Sequence, residues 1–135
     1  MLGDKIANGQ GRVTGTRILP PDGPGPTVEA SIQGSGTYLG VATTDMWTYQ
    51  QVMRPDGTIV GEGRGVSMTA DGEVVTWTGQ GVGRPTGRGA GVAYRTAVFG
   101  QTASHKLARL NQVVLVGEYD VDEDGSYRYE AWEWK

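Results

Sequence analysis

With 135 residues the chain can bury one sizeable core and is too short for two. Its 12 Lys plus Arg against 15 Asp plus Glu leave a net charge of −3, and no dense basic run appears, so the footprint of a nucleic-acid binder is missing. The absence of cysteine excludes disulfides, thiolate chemistry and thiolate-bound metals.

The 23 glycines are interleaved with Val, Thr, Tyr and Trp and not gathered into one tract, so they belong to strands and turns. Residues 1–8 show no periodicity and are expected to be frayed or disordered, or to form a short edge segment. The start lacks a basic run followed by an apolar one, and no stretch of about 18 apolar residues occurs, which sets the expectation of a cytoplasmic protein with no membrane partner. Gly9 to Leu19 alternates Arg12, Thr14, Thr16 and Ile18 with Val13, Gly15, Arg17 and Leu19, a first strand. The stretch 20–26, PPDGPGP, reads as a loop. Val28 to Gln33 reads as a second strand and Thr37 to Met53 as one or two more, bent near Gly40.

Two turn signals organise the middle of the chain. MRPDGT, residues 53–58, suits a type I turn closed by a glycine in the left-handed region. That register pairs Val52 with Val60, Gln50 with Glu62 and Met46 with Val66, and sets Tyr49 opposite Gly63 and Trp47 opposite Gly65, where a ring covers a bare backbone. Asp71-Gly72 reads as a two-residue type I′ turn, which pairs Met68 with Val75 and Val66 with Trp77. One face of the meander then carries Val60, Glu62, Arg64, Val66, Met68, Val75 and Trp77.

After Arg84 a glycine-rich loop leads to a strand over Val92 to Thr102, whose facing stays open: Val92, Tyr94, Thr96 and Val98 favour one side, Arg95 and Phe99 the other. Ala103 to Arg109 admits a single helical turn. Val113 to Asp122 and Ser126 to Lys135 form a closing hairpin around Asp124-Gly125, with Leu115, Tyr119, Trp132 and Trp134 on one face. The elements predict an all-β fold, a single antiparallel meander β-barrel of seven to eight strands. A barrel of that size is filled by side chains or holds one small ligand.

Four motifs bear on chemistry. Gly-Gln/Glu-Gly recurs at Gly9, Gly61 and Gly79, but each copy lies in a strand and none opens a helix, so the glycines are read as relief for a tightly curved sheet and not as a phosphate loop. Asp120-Val-Asp122-Glu-Asp124-Gly125 begins like a calcium loop, yet the position of its bidentate Glu is Ala131, and no metal site is expected. The single histidine, His105, is read as a surface residue. The candidate site is the Val66/Trp77 face taken as lumen: Glu62 as base and Arg64 as anchor for a carbonyl or carboxylate, with Gln50, Val66, Met68 and Trp77 as substrate-binding walls. A structural ion pair between Glu62 and Arg64 is the alternative reading. With the facing reversed, Asp45, Tyr49, Gln51 and Gln80 become the polar lumen set.

The run from TDMWTYQQVMRPDGTIVGEGRGVSMTADGEVVTWTGQGVGR to QTASHKLARLNQVV resembles a group of short uncharacterised prokaryotic proteins. Its glycine-rich meander with Asp-Gly turns is similar, at the level of architecture, to the barrels of allene oxide cyclases and dirigent proteins. The resemblance implies a barrel that holds a hydrophobic intermediate and steers its cyclisation or coupling, as a homo-oligomer, a dimer or trimer; no family site carries over residue by residue. Two readings follow. One is a cofactor-independent cyclase or isomerase acting on a hydrophobic small molecule. The other is a non-catalytic ligand carrier or interaction barrel, its Trp47/Tyr49 face a partner surface.

Overall fold

In the computed structural model, residues 1–21, 23 and 25–135 are described; the loop expected over 20–26 falls in part on Asp22 and Pro24, outside the described residues. Eight strands follow in order: β1 Leu2–Leu19, β2 Thr27–Tyr38, β3 Val41–Met53, β4 Ile59–Thr69, β5 Val74–Pro85, β6 Val92–Thr102, β7 Leu115–Val121 and β8 Ser126–Trp134. Each is antiparallel to the next and β8 pairs back onto β1, so the sheet closes as a barrel and leaves no edge. Residues 1–8 are not frayed. They form the start of β1 and help close the barrel against β8, with Ile6 and Ala7 buried. Register shifts between Leu2 and Lys5 and between Lys5 and Ala7 break the period-two alternation, which is why the sequence shows none there.

The β3–β4 connection is the expected one. Arg54 N–H donates to Thr58 O at 2.8 Å, Gly57 has φ +87°, and Trp47 and Tyr49 lie opposite Gly65 and Gly63. The β4–β5 connection differs. Thr69 N–H donates to Glu73 O at 2.9 Å and Gly72 N–H to Thr69 O at 3.0 Å, with positive φ at Gly72 and not at Asp71. The loop is therefore Ala70-Asp71-Gly72, the same kind as Pro55-Asp56-Gly57. Glu123-Asp124-Gly125 repeats it between β7 and β8, with Gly125 at φ +85°.

In all three loops the Asp carboxylate accepts a nearby hydroxyl: Thr58 at 2.6 Å for Asp56, Ser126 at 2.6 Å for Asp124, and Thr69 for Asp71. A type I′ turn would demand positive φ of the Asp as well, and the three-residue loop asks it only of glycine. The positive-φ pair occurs instead at Leu39-Gly40, φ +51° and +78°, where Leu39 packs on the core and donates its N–H to Ile6 O at 2.9 Å.

The one-residue slip puts Trp77 opposite Gly65 and Val75 opposite Ser67. A slip of one residue turns every side chain of a strand to the other face. Inside the barrel, therefore, stand Asp45, Trp47 and Tyr49 of β3, the glycines and Ser67 of β4, and Val75 and Trp77 of β5. Outside stand Val60, Glu62, Arg64, Val66 and Met68. The same slip in the last hairpin leaves Leu115 and Tyr119 inside but moves Trp132 and Trp134 out. On β6 the open facing resolves with Val92, Tyr94 and Val98 buried and Arg95 and Phe99 exposed.

One end of the barrel is stoppered by the β6–β7 connection. Its 3-10 helix, Ala108–Gln112, lies slightly later than the turn expected at 103–109. Leu107 and Leu110 fill the end beside Leu115, Val75 and Ala131. Asn111 ties the segment to β6, accepting from Thr102 N–H at 2.7 Å and donating to Thr102 O at 3.0 Å. Arg109 bridges Asp4 and the buried Glu133, and Lys106 reaches Asp71 and Glu73, each at 3.1 Å. A second apolar cluster gathers around Ile32, Ile59, Tyr94 and Tyr119.

Candidate functional site: the barrel lumen

Between the two clusters lies a cavity of about 90 Å³. All six tyrosines of the chain, Tyr38, Tyr49, Tyr94, Tyr119, Tyr127 and Tyr129, line it. The space exists because the strands face it with glycine: Gly9, Gly61, Gly63, Gly79 and Gly81 are all on its wall. At Gly63, Gly79 and Gly81 a Cβ would meet another group within 3 Å, so glycine is required there by close packing. At Gly9 and Gly61 a Cβ would meet nothing nearer than 3.4 Å, so those two positions have room for a first side-chain carbon in ordinary contact.

One carboxylate enters this apolar chamber from an inward position, Asp45, buried to 6% exposure. Its Oδ1 accepts from Thr43 Oγ1 at 2.9 Å and from Ser67 Oγ at 2.6 Å. Ser67 Oγ in turn accepts from the Trp77 indole N–H at 3.0 Å, and the Trp77 ring rests on Tyr38 with centroids 5.0 Å apart. The chain Trp77, Ser67, Asp45 thus locks one oxygen in place. The other, Oδ2, has no hydrogen-bond partner among the described residues and points across Gly9, 3.8 Å from where a Cβ would stand. Burial raises the Asp45 pKa, and the Ser67 and Thr43 hydrogen bonds oppose that only in part.

The tyrosines form a connected wall. Tyr119 stacks on Tyr94 at 5.7 Å, meets Tyr49 edge-on at 5.8 Å and Tyr127 at 5.5 Å. Tyr49 and Tyr119 share a hydroxyl hydrogen bond of 3.0 Å, and Tyr94 O–H donates to Gln51. The Tyr129 ring and Thr96 Oγ1 both approach Gly117, and the Tyr129 hydroxyl and Thr96 Oγ1 are buried with no geometrically formed hydrogen bond among the described residues. Burial pushes up the pKa of Tyr49, Tyr94, Tyr119 and Tyr129, so these rings stay neutral hydroxyls.

The residues expected in the lumen divide. Trp77 is inside, 2% exposed. Glu62 and Arg64 stand exposed on the outer face of β4, with Gln50 and Met68 exposed and Val66 half-buried on the same outside surface. The cause is the three-residue loop at 70–72, which turns β5 over relative to β4 and brings Trp77 to the side of Gly65. Of the reversed set, Asp45, Tyr49 and Gln51 point inward, and Gln80 is exposed. Thr43, Ser67 and Tyr127 are functional candidates that sequence reasoning did not reach. A signal existed: of the Gly-x-Gly triplets at Gly9, Gly61 and Gly79, five of the six glycines lie on the cavity wall, and their middle residues are exposed although Glu62 and Gln80 also border the cavity.

Among the described residues no group of three or more acidic or histidine side chains converges to hold a metal ion, and no helix is long and apolar enough to cross a membrane.

No protein-family model matches the chain, and no curated protein matches it. Solved structures do. A conserved protein of unknown function from Rhodopseudomonas palustris superposes with a TM-score of 0.83 at 17% identity, covering 98% of this chain and 97% of that one. A β-barrel-like protein from Acinetobacter baumannii gives 0.83 at 16% identity over 100% and 96%. An enzyme from Penicillium herquei gives 0.67 at 18% identity over 96% and 92%. At these identities the likeness is one of fold, to barrels of which one is an enzyme.

Proposed function

We propose that this chain is a small-molecule-binding β-barrel that guides a cofactor-independent isomerisation or cyclisation of a hydrophobic substrate, in the manner of the allene oxide cyclase-like barrels, with Asp45 as the proton-transferring group. The observation that carries this reading is the divided carboxylate: Oδ1 is held by two hydroxyls while Oδ2 faces a glycine-walled apolar cavity. A base works best when its pKa lies near the working pH, and burial moves Asp45 in that direction. The rigid aromatic wall supplies the other requirement, holding a flexible apolar molecule in one reactive conformer. That one of the similar barrels is an enzyme favours the same reading.

The test is to fill the lumen. Gly61→Leu places its first side-chain carbon 3.4 Å from Gln50 O and 3.5 Å from Tyr94 Cε1, ordinary contacts, and adds bulk at a residue that lines the cavity. Binding of small apolar probes, followed by ligand-detected NMR, is expected to vanish in Gly61→Leu with the thermal midpoint little changed. Glu62→Gln and Arg64→Met, on the outer face, are expected to leave probe affinity as in the parent. Binding that survives Gly61→Leu would remove the lumen as the site.

A second reading, a barrel that assembles with copies of itself, is favoured by the outer surface. Val60, Val82, Val116, Trp132 and Leu2 border a groove of about 620 Å³ there. Apolar, aromatic-bearing surfaces are the usual centres of subunit contacts. Light scattering is expected to give a dimer or trimer that Trp132→Glu dissociates; a monomeric parent protein would dispose of this second reading.

A further inference from the structure

Tyr127 is 5% exposed, lines the cavity, and has no hydrogen-bond partner for its hydroxyl among the described residues. The hydroxyl is not among the wholly buried unpaired polar atoms but keeps access to the space it lines, so an acceptor atom of a ligand in the cavity can take its hydrogen bond. Its position is set by glycines. The ring crosses Gly11, where a Cβ would lie 2.7 Å from Tyr127 Cε2, and the hydroxyl comes to rest over Gly34, where a Cβ would lie 2.2 Å from it. Gly34 is the cross-strand partner of Asp45. Inward groups at paired positions of adjacent strands are near neighbours, so the Tyr127 hydroxyl and the Asp45 carboxylate enter the cavity side by side. Burial and the Asp45 charge push the Tyr127 pKa up to about 12, which keeps it a hydrogen-bond donor at neutral pH.

We infer that the substrate is a small carbonyl compound carrying an acidic α-hydrogen, its oxygen received by the Tyr127 O–H while Asp45 Oδ2 removes that hydrogen. The inference rests on the proposed role of Asp45. The step balances without any co-reactant. The α C–H bond breaks and its proton passes to Oδ2; the C–H electron pair forms the enolate double bond, and the carbonyl π pair moves onto oxygen, where Tyr127 donates to the developing charge. Asp45, now neutral, returns the same proton to the γ carbon of an unsaturated substrate, which restores the carbonyl and moves the double bond into conjugation.

An enolate is planar with charge on one oxygen, and a phenol, though neutral at neutral pH, shares its planarity and the placement of its oxygen. Fluorine NMR titrations with para-fluorophenol and its near-isostere para-fluorotoluene separate the hydroxyl from the hydrophobic contribution. The parent protein is expected to bind both, the phenol about tenfold more tightly. Tyr127→Phe is expected to erase that preference while para-fluorotoluene still binds, which also reports an intact lumen, and Asp45→Asn is expected to keep it. In parallel, a β,γ-unsaturated cyclohexenone is expected to convert to its conjugated isomer faster than in buffer, and at least about tenfold more slowly with Tyr127→Phe than with the parent. Equal affinities in the parent, or a preference that survives Tyr127→Phe or disappears in Asp45→Asn, would overturn the carbonyl assignment and leave the binding barrel standing. If neither compound binds, the lumen reading fails and this inference with it.

Discussion

Trp77→Ala is expected to lower the free energy of unfolding by about 3–5 kcal/mol, the range for deleting a buried aromatic side chain. Trp77 is 2% exposed, stacks on Tyr38 and covers Gly100, where a Cβ would lie 2.7 Å from the indole. No neighbour can collapse into the hole, because the wall behind it is hydrogen-bonded sheet. The substitution also removes the N–H that fixes Ser67, which is wholly buried and itself holds Asp45. Urea denaturation reads the loss as a fall in the midpoint at unchanged slope. Since a domain of this size holds only about 5–15 kcal/mol, the variant would be marginal. Trp132→Ala, on the outer face, is expected to cost no more than about 1 kcal/mol. Equal losses for the two would contradict the inward facing of β5.

Asp45→Asn separates stability from chemistry. Asparagine keeps an oxygen for the Thr43 and Ser67 hydroxyls and removes the charge that burial disfavours. The sign of the pH dependence follows from the raised pKa. In the unfolded chain the carboxyl titrates near its ordinary 3.8, and in the folded protein higher. Between those values the native state holds a proton that the unfolded state has released, so stability attributable to Asp45 is full below 3.8 and is lost as pH rises through the folded value. The advantage of Asp45→Asn over the parent is therefore expected to be near zero in acid, to grow through that window, and to level off above the folded value. Its size is about 1.4 kcal/mol for each unit by which the pKa is raised. Thermal melts of both proteins across the acid range measure it directly.

Turnover is expected to move the other way. Loss of a positioned base lowers the rate by about 10²–10⁴-fold. In the parent, turnover is expected to fall as pH drops through the raised Asp45 value. A variant that is both more stable and inactive is the signature of a functional charge. A stabilised variant with full turnover would retire Asp45 as the base.

How much of this was legible in the sequence depends on whether the signal was local. Strand existence, the all-β class and the β3–β4 register followed from Pro55-Asp56-Gly57 and from aromatic residues placed against glycines, each a matter of a few neighbouring residues. The candidate site was not legible, because its facing hung on a single residue. Whether Asp71-Gly72 closes a two- or a three-residue loop decides which side of β5 meets the core, and the hydroxyl-to-carboxylate bonds that accompany the longer loop form only in the folded turn.

By itself, the sequence determined an antiparallel meander of seven to eight strands, because alternation, turn chemistry and glycine spacing are properties of contiguous residues. Closure of β1 on β8, the plug of Leu107 and Leu110, and the meeting of Asp45 with Ser67, Trp77 and Tyr127 were decided only by the tertiary structure. Those residues lie on five different strands and connections, and what brings them together is the curvature of the sheet, a quantity that no single strand contains.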